Sequence, residues 1–100
     1  MPKYMIAYYQ GKKPDSPEAG QTQFANWKAW IQSMGEAVVN PGTPLKDAKT
    51  LSSDGVSDGG EISGFAVIRA DSMEEALEMA KRDPFLEMGK IQLSEMIEMG

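Results

Sequence analysis

The side chains that could do chemistry in this sequence carry carboxylate, phenol and amine groups, because the chain contains no histidine and no cysteine. Without an imidazole base, a serine cannot be activated as it is in hydrolase triads. Without thiols there is no cysteine nucleophile, no disulfide and no zinc–thiolate site. Proton transfer is therefore left to Asp, Glu, Tyr and Lys.

Three carboxylates are the candidate catalytic residues: Asp54, Asp83 and Glu95. Strict alternation from Ile91 places Glu95 on the apolar face of a strand, where a buried carboxyl group would suit acid–base catalysis. We favour the structural alternatives, which are a bulge near Ser94 or a charge that protects an edge strand. Asp54 lies in a loop, where it could contact a ligand. Asp83 precedes a proline at a helix end, where a role in the turn is sufficient.

Aromatic side chains form the second candidate constellation, and they are Tyr8, Phe24, Trp27 and Trp30. Together they could line a hydrophobic pocket that stacks on a planar ligand. Phe24 and Trp27 lie at the centre of a helical stripe, which favours core or dimer contacts for both. Trp30 lies at the flank of that stripe, and both roles remain open for it.

No metal or cofactor is expected. The segment Asp54-Gly55-Val56-Ser57-Asp58-Gly59 has the rhythm of a calcium loop, but Val56 stands at a ligand position and a flexible turn is the better interpretation. The glycines match neither a Walker loop nor a dinucleotide fingerprint.

Charge and hydropathy restrict the partners. The net charge is −5, and the basic residues are scattered apart from two adjacent pairs, Lys12-Lys13 and Lys81-Arg82. Phosphate backbones reward clustered cations, so neither nucleic acid nor an anionic membrane surface is expected as a partner. No apolar run is long enough for a membrane span or a signal-peptide core, which favours the cytoplasm.

The elements that must position these residues follow from periodicity and cap signals. Strands are expected over residues 4–9, 37–39, 62–70 and 90–99, with 50–52 a ragged continuation of the second. A helix over residues 17–34 begins after Ser16 and ends at Gly35, and its buried stripe is Phe24, Trp27, Ile31 and Met34. A second helix begins near Ser72 and ends before Asp83-Pro84. Residues 11–16 and 52–61 are expected to be loops.

The order β-α-β-β-α-β is that of the ferredoxin-like fold, an α+β sandwich in which two helices cover one face of an antiparallel sheet. We expect one domain over residues 1–100. The first and third strands are apolar on both faces, which suits the sheet centre. The sheet face without helices would expose apolar side chains, so we expect a homodimer that packs sheet to sheet.

Several segments resemble the YCII-related (DGPF-domain) family over essentially the whole chain. They are Lys3-Tyr4-Met5-Ile6, Met34-Gly35, Gly42-Thr43-Pro44-Leu45, Ser53-Asp54-Gly55, Gly64-Phe65, residues 71–76 and residues 83–89. The resemblance implies a dimeric α/β barrel with a pocket between sheet and loops in each subunit. Some members look like enzymes with a His-Asp pair in that pocket. Here Phe24 stands where such members carry the histidine, and Asp54-Gly55 is followed by Val56-Ser57 instead of Pro-Phe.

These observations favour a small-molecule-binding homodimer that lacks the histidine-dependent chemistry of the family. The first alternative is a lyase or isomerase that uses Asp or Glu with Tyr on a small carbonyl compound or aromatic acid. The second is an accessory or regulatory domain that binds other proteins.

Overall fold

The computed structural model describes residues 1–9, 11 and 13–99. Gln10, predicted to end the first strand, and Lys12, in the predicted loop 11–16, lie outside the described residues. The strands are β1 (Lys3–Tyr9), β2 (Val38–Asn40), β3 (Lys49–Ser52), β4 (Gly55–Asp58), β5 (Ile62–Arg69) and β6 (Ile91–Glu95). The helices are α1 (Pro17–Met34) and α2 (Met73–Ala80), and 3-10 turns span Gly35–Ala37 and Pro84–Glu87. Among the described residues, neither helix has the length and apolar character that crossing a lipid bilayer requires.

The main sheet is antiparallel, with the strand order β2-β5-β1-β6. This order places β1 and β5 at the centre, as their two apolar faces predicted, and it is the ferredoxin-like arrangement. The core forms on one sheet face, where Tyr4 and Ile6 of β1 meet Ile68 of β5, Trp30 of α1 and Ala76 of α2. Both helices therefore pack on the same face of the sheet.

In the described part of the chain, no helix covers the opposite sheet face. Met5, Ala7 and Tyr9 alternate with the core residues of β1, and Phe65 and Val67 do so in β5. Apart from the buried Ala7, these side chains are partly exposed. The molecule measures 42 × 39 × 18 Å, and the short dimension fits one sheet with a single helix layer. We call the surface formed by these five residues the open face.

Cap residues fix where both helices begin. The Ser16 hydroxyl accepts a hydrogen bond from the Ala19 N–H at 3.1 Å, and Pro17 follows at the first helical position. The Ser72 hydroxyl accepts one from the Glu75 N–H at 3.1 Å. The cap interpretation of Ser16 and Ser72 is confirmed.

Ser72→Ala should therefore lower the free energy of unfolding by about 1 kcal/mol, because it leaves an N–H of the first turn of α2 without its partner. Urea denaturation measures the change. Ser72→Asp is the matched control and should retain most of the stability, since an aspartate caps as well as a serine. Equal losses in the two variants would contradict the cap interpretation.

Residues 52–61 were predicted to be a loop, and this prediction is wrong. β3 pairs with β4 in a separate antiparallel hairpin, with Ser52 opposite Gly55 and Leu51 opposite Val56. The pattern is mostly polar because both strands are exposed on both faces, so no buried side marks them as strands. The prediction that residues 50–52 continue the second strand is also wrong, because they pair with β4 in the separate hairpin and not with the main sheet.

The last strand ends earlier than predicted. β6 stops at Glu95, and residues 96–99 are exposed, with Ile97 87% and Met99 94% accessible. The neighbouring strand β1 begins at Lys3, so among the described residues β6 has no partner after that point. The Lys3 carbonyl accepts the final hydrogen bond, from the Met96 N–H. Alternation alone cannot show where the neighbouring strand ends.

Candidate active-site cavity

A cavity of about 220 Å³ opens between α1 and the end of the central strands. Its walls come from α1, from the strand ends, from the loop after β2 and from the 3-10 turn Pro84–Glu87. The lining residues are Tyr8, Gly20, Gln23, Phe24, Trp27, Thr43, Pro44, Ser63, Gly64, Phe65, Pro84, Phe85 and Met88. None of them carries a formal charge.

Two glycines explain why the space exists. Gly64 lies on the helix-covered face directly opposite Tyr8, where a side chain would otherwise fill the gap beneath α1. Gly42 brings the loop after β2 against the sheet, since a Cβ at this position would lie 1.6 Å from the Phe65 carbonyl oxygen. Gly42 also has a φ of 72°, which favours glycine. The close approach places Thr43 and Pro44 in the cavity wall.

The side walls are aromatic. Phe24 and Trp27 stack with ring centroids 6.0 Å apart and an interplanar angle of 18°. Tyr8 and Phe85 make an edge-to-face contact at 4.9 Å. Flat apolar walls of this kind favour a planar ring as a ligand.

One end of the cavity is polar. The Tyr8 hydroxyl donates to Asp83 Oδ2 at 2.5 Å and accepts from Trp27 Nε1–H at 3.0 Å. Asp83 Oδ1 accepts the Phe85 N–H at 2.9 Å, which caps the 3-10 turn. Asp83 is only 2% exposed. It therefore lies behind Tyr8, and Tyr8 connects it to the cavity.

Burial is the main cause of the pKa shifts of Asp83 and Tyr8. Desolvation raises the pKa of Asp83, while the hydrogen bonds from Tyr8 and from the Phe85 N–H act in the opposite direction. The pKa of Tyr8 is also raised, by burial first and then by the hydrogen bond and the charge of Asp83. The carboxyl group can thus exchange a proton closer to neutrality than an exposed aspartate, whereas the phenol keeps its own.

The predicted aromatic residues divide between the cavity and the core. Tyr8, Phe24 and Trp27 line the cavity. Trp30 instead lies in the core at 6% exposure, and its indole N–H donates to the Met79 carbonyl at 3.1 Å. Phe24 was predicted to be at the centre of a buried stripe, and this is wrong, since it is 52% exposed. The packed stripe is Trp27, Trp30, Ile31 and Met34, because the cavity separates the first half of α1 from the sheet.

The structure does not bring the three predicted carboxylates together. Asp54 lies in the two-residue turn between Ser52 and Gly55, and Glu95 pairs with Tyr4 at the sheet edge. Both are exposed and neither lines the cavity. Glu95 alternates with Ile91 and Leu93 as predicted, and its exposure on an edge strand fits the favoured interpretation of a charge that protects the edge rather than a buried acid. In the part of the chain that the structure describes, no three acidic side chains are placed to hold a metal ion.

Sequence reasoning missed most of the remaining lining residues. Thr43, Pro44, Gly64 and Phe85 each belong to a segment that carried the family resemblance, so the signal was present without an assigned role. Gln23 carried no such signal. Its amide has no hydrogen-bond partner among the described residues and is only partly exposed.

Comparisons with known proteins agree with this fold. The solved structure of 5-chloro-2-hydroxyhydroquinone dehydrochlorinase (TftG) from Burkholderia phenoliruptrix AC1100, in complex with 2,5-dihydroxybenzoquinone, matches with a TM-score of 0.61 and 21% identity. The match covers 98% of this chain and 95% of that one and shows a shared fold. The search of curated proteins found no match. The sequence model of the YCII-related domain matches residues 2–100, and the chain therefore belongs to the YCII-related family.

Proposed function

We propose that this protein binds a small, planar, single-ring organic molecule in the cavity, with a polar substituent of the ring at Tyr8. The observation that supports this most strongly is the combination of stacked aromatic walls with one polar end. The volume of about 220 Å³ is near that of cavities of about 150 Å³ that take up benzene, and it is below the 300–1,000 Å³ typical of sites for drug-sized ligands. The bound quinone in the TftG structure is also a single ring.

Phe24→Ala should weaken binding of single-ring compounds by about tenfold while lowering the free energy of unfolding by less than about 1 kcal/mol. The side chain is already 52% exposed, so its removal costs the fold little but takes away one wall. Calorimetric titration with phenol and hydroquinone measures the affinity, and urea denaturation measures the stability.

The matched control is Leu51→Ala, which removes an exposed apolar side chain of the β3–β4 hairpin, 74% accessible, that does not line the cavity. It should leave the affinity unchanged. If no single-ring compound binds the wild-type protein, or if both variants weaken binding equally, the proposed site is wrong.

The proposal includes a homodimer formed through the open face. Met5 and Val67 are direct neighbours across β1 and β5, and together with Tyr9 and Phe65 they make a partly exposed apolar surface at the sheet centre. Surfaces of this kind in small domains mark an interface. Light scattering should report twice the mass of the 10.9 kDa chain, and Val67→Lys should return it to the mass of one chain. A wild-type monomer at micromolar concentration would contradict the dimer.

A second candidate function is a lyase or isomerase that uses Asp83 for proton transfer. It is favoured by a buried carboxyl group of raised pKa that reaches the cavity through one hydroxyl. Deuterium exchange into ring carbons next to a hydroxyl or carbonyl, followed by mass spectrometry in D2O, tests it. Asp83→Asn should abolish exchange and keep ring binding. Binding without exchange in the wild-type protein would leave the binding function alone.

A further inference from the structure

The donors of the cavity are already engaged within the protein. The Tyr8 hydroxyl donates to Asp83, Trp27 Nε1–H to Tyr8, and the Ser63 hydroxyl to the Tyr8 carbonyl at 3.3 Å. The Thr43 hydroxyl donates to the Pro44 carbonyl at 3.3 Å. Apart from the Gln23 amide, the lining side chains therefore offer a ligand acceptor positions and no donor.

The Tyr8 oxygen shows this most clearly. A phenol has one hydrogen to donate and two lone pairs that accept. The hydrogen is used by Asp83 and one lone pair by Trp27. One acceptor position remains at the polar end of the cavity, where a ligand hydroxyl could donate.

The charges near the cavity also favour a neutral ligand over an anionic one. No lining residue is cationic, and the Asp83 carboxylate lies directly behind Tyr8. Lys28 is the nearest cation on α1, with its ammonium 5.6 Å from the Phe24 ring centroid, but it does not line the cavity. An anionic ligand would have to give up its hydration at an apolar site that ends in a negative charge.

We infer that the cavity selects neutral rings that carry a hydroxyl donor over equally shaped ethers and over carboxylates, and that protonation of Asp83 removes the hydroxyl preference. This inference rests on the proposed function. With Asp83 ionised, Tyr8 donates to it and accepts from the ligand. With Asp83 protonated, its O–H donates to the Tyr8 oxygen, and the Tyr8 hydrogen turns toward the ligand. The site then favours acceptors.

Asp83 is the group whose protonation changes, because its hydrogen-bonded neighbours keep their own hydrogens. β1 contributes Tyr8, which keeps its hydrogen, and α1 contributes the neutral Trp27 with Lys28 beyond it. The neighbouring charges along the chain, Arg82 and Glu87, are exposed and make no hydrogen bond to Asp83 among the described contacts. The pKa of Asp83 is raised by its burial, which moves the change to a higher pH than for an exposed aspartate.

The test compares phenol, anisole and benzoate, which share a ring and differ in the donor, the acceptor and the charge. At neutral pH, phenol should bind about 5- to 10-fold more tightly than anisole, the size of one hydrogen bond, and benzoate most weakly. The preference for phenol should decline as the pH falls into the range where Asp83 takes up its proton. Asp83→Asn keeps the cap of the 3-10 turn and should make the phenol-to-anisole ratio independent of pH.

Tyr8→Phe should remove the preference for phenol, and Tyr9→Phe, on the opposite face of the same strand, should retain it. Equal binding of phenol and anisole by the wild-type protein would overturn the inference and leave the proposed function standing. Tightest binding of benzoate would also overturn it. If none of the three binds, the proposed function fails and the inference fails with it. The wild-type and Asp83→Asn measurements decide the matter even if Tyr8→Phe does not fold.

Discussion

Gly42→Ala is expected to lower the free energy of unfolding by about 4 kcal/mol or more, which is exceptional for a single substitution. The added Cβ would lie 1.6 Å from the Phe65 carbonyl oxygen, and that oxygen belongs to the backbone of a central strand. Gly42 also has a φ of 72°, where a residue with a side chain is strained. Either the loop after β2 or strand β5 must move, and the cavity wall at Thr43 and Pro44 moves with it.

The matched control for this prediction is Gly59→Ala. Gly59 has a φ of 88°, but no atom lies within 4 Å of the position that an added Cβ would take, so this variant carries only the backbone strain of about 1–2 kcal/mol. Urea denaturation of both variants separates strain from steric overlap. Similar losses in the two would show that the loop after β2 does not approach β5 closely enough to exclude a side chain.

Tyr8→Phe is expected to lower the free energy of unfolding by about 2–3 kcal/mol at neutral pH, because it leaves the buried Asp83 carboxylate without its hydroxyl donor. The effect should depend on pH. The folded-state pKa of Asp83 lies above its unfolded value, so the folded protein holds this proton more tightly. Stability therefore falls as the pH rises from the unfolded pKa through the folded one.

Loss of the Tyr8 hydroxyl removes a hydrogen bond that favours the ionised form of Asp83. The pKa of Asp83 then rises further in the variant, and the loss of stability with rising pH becomes steeper. The difference between wild type and Tyr8→Phe should thus be smaller in acid, where Asp83 is protonated, than at neutral pH, as measured by urea denaturation under both conditions.

Two controls test whether the effect of Tyr8→Phe comes from its hydrogen bond to Asp83. Tyr9→Phe removes a hydroxyl that bonds Gln92 on the exposed side and should change stability by less than about 0.5 kcal/mol. In an Asp83→Asn background, Tyr8→Phe should cost about 1 kcal/mol, the value of a neutral hydrogen bond, with no dependence on pH. A penalty for Tyr8→Phe that stays constant with pH in the wild-type background would mean that Asp83 is not its charged partner.

The fold could be predicted because its determinants are local. The cap at Ser16, the glycine at the end of α1 and the two-sided apolar pattern of β1 and β5 each act within a few residues, and together they specify the order of the main sheet. The β3–β4 hairpin was missed since it buries neither face, and periodicity reports burial rather than pairing.

The site could be predicted only in part because its contacts are distant in the chain. Tyr8 and Asp83 are 75 positions apart, and nothing near either residue specifies the other. Phe24 and Trp30 show the same limit: helical spacing places both near one stripe, but only the position of the cavity decides that Phe24 forms its wall and Trp30 enters the core. The cavity itself depends on Gly64, because this residue has no side chain to fill the space.

The two tryptophans allow the most direct test of ring binding in this cavity. The indole N–H of Trp27 bonds Tyr8 at the cavity, and that of Trp30 bonds the Met79 carbonyl in the core. In a ¹H–¹⁵N correlation spectrum of labelled protein, titration with phenol should shift the Trp27 indole signal to saturation and leave that of Trp30 nearly unmoved. A Trp27 signal that stays in place while phenol binds, or no saturable change at all, would contradict the account.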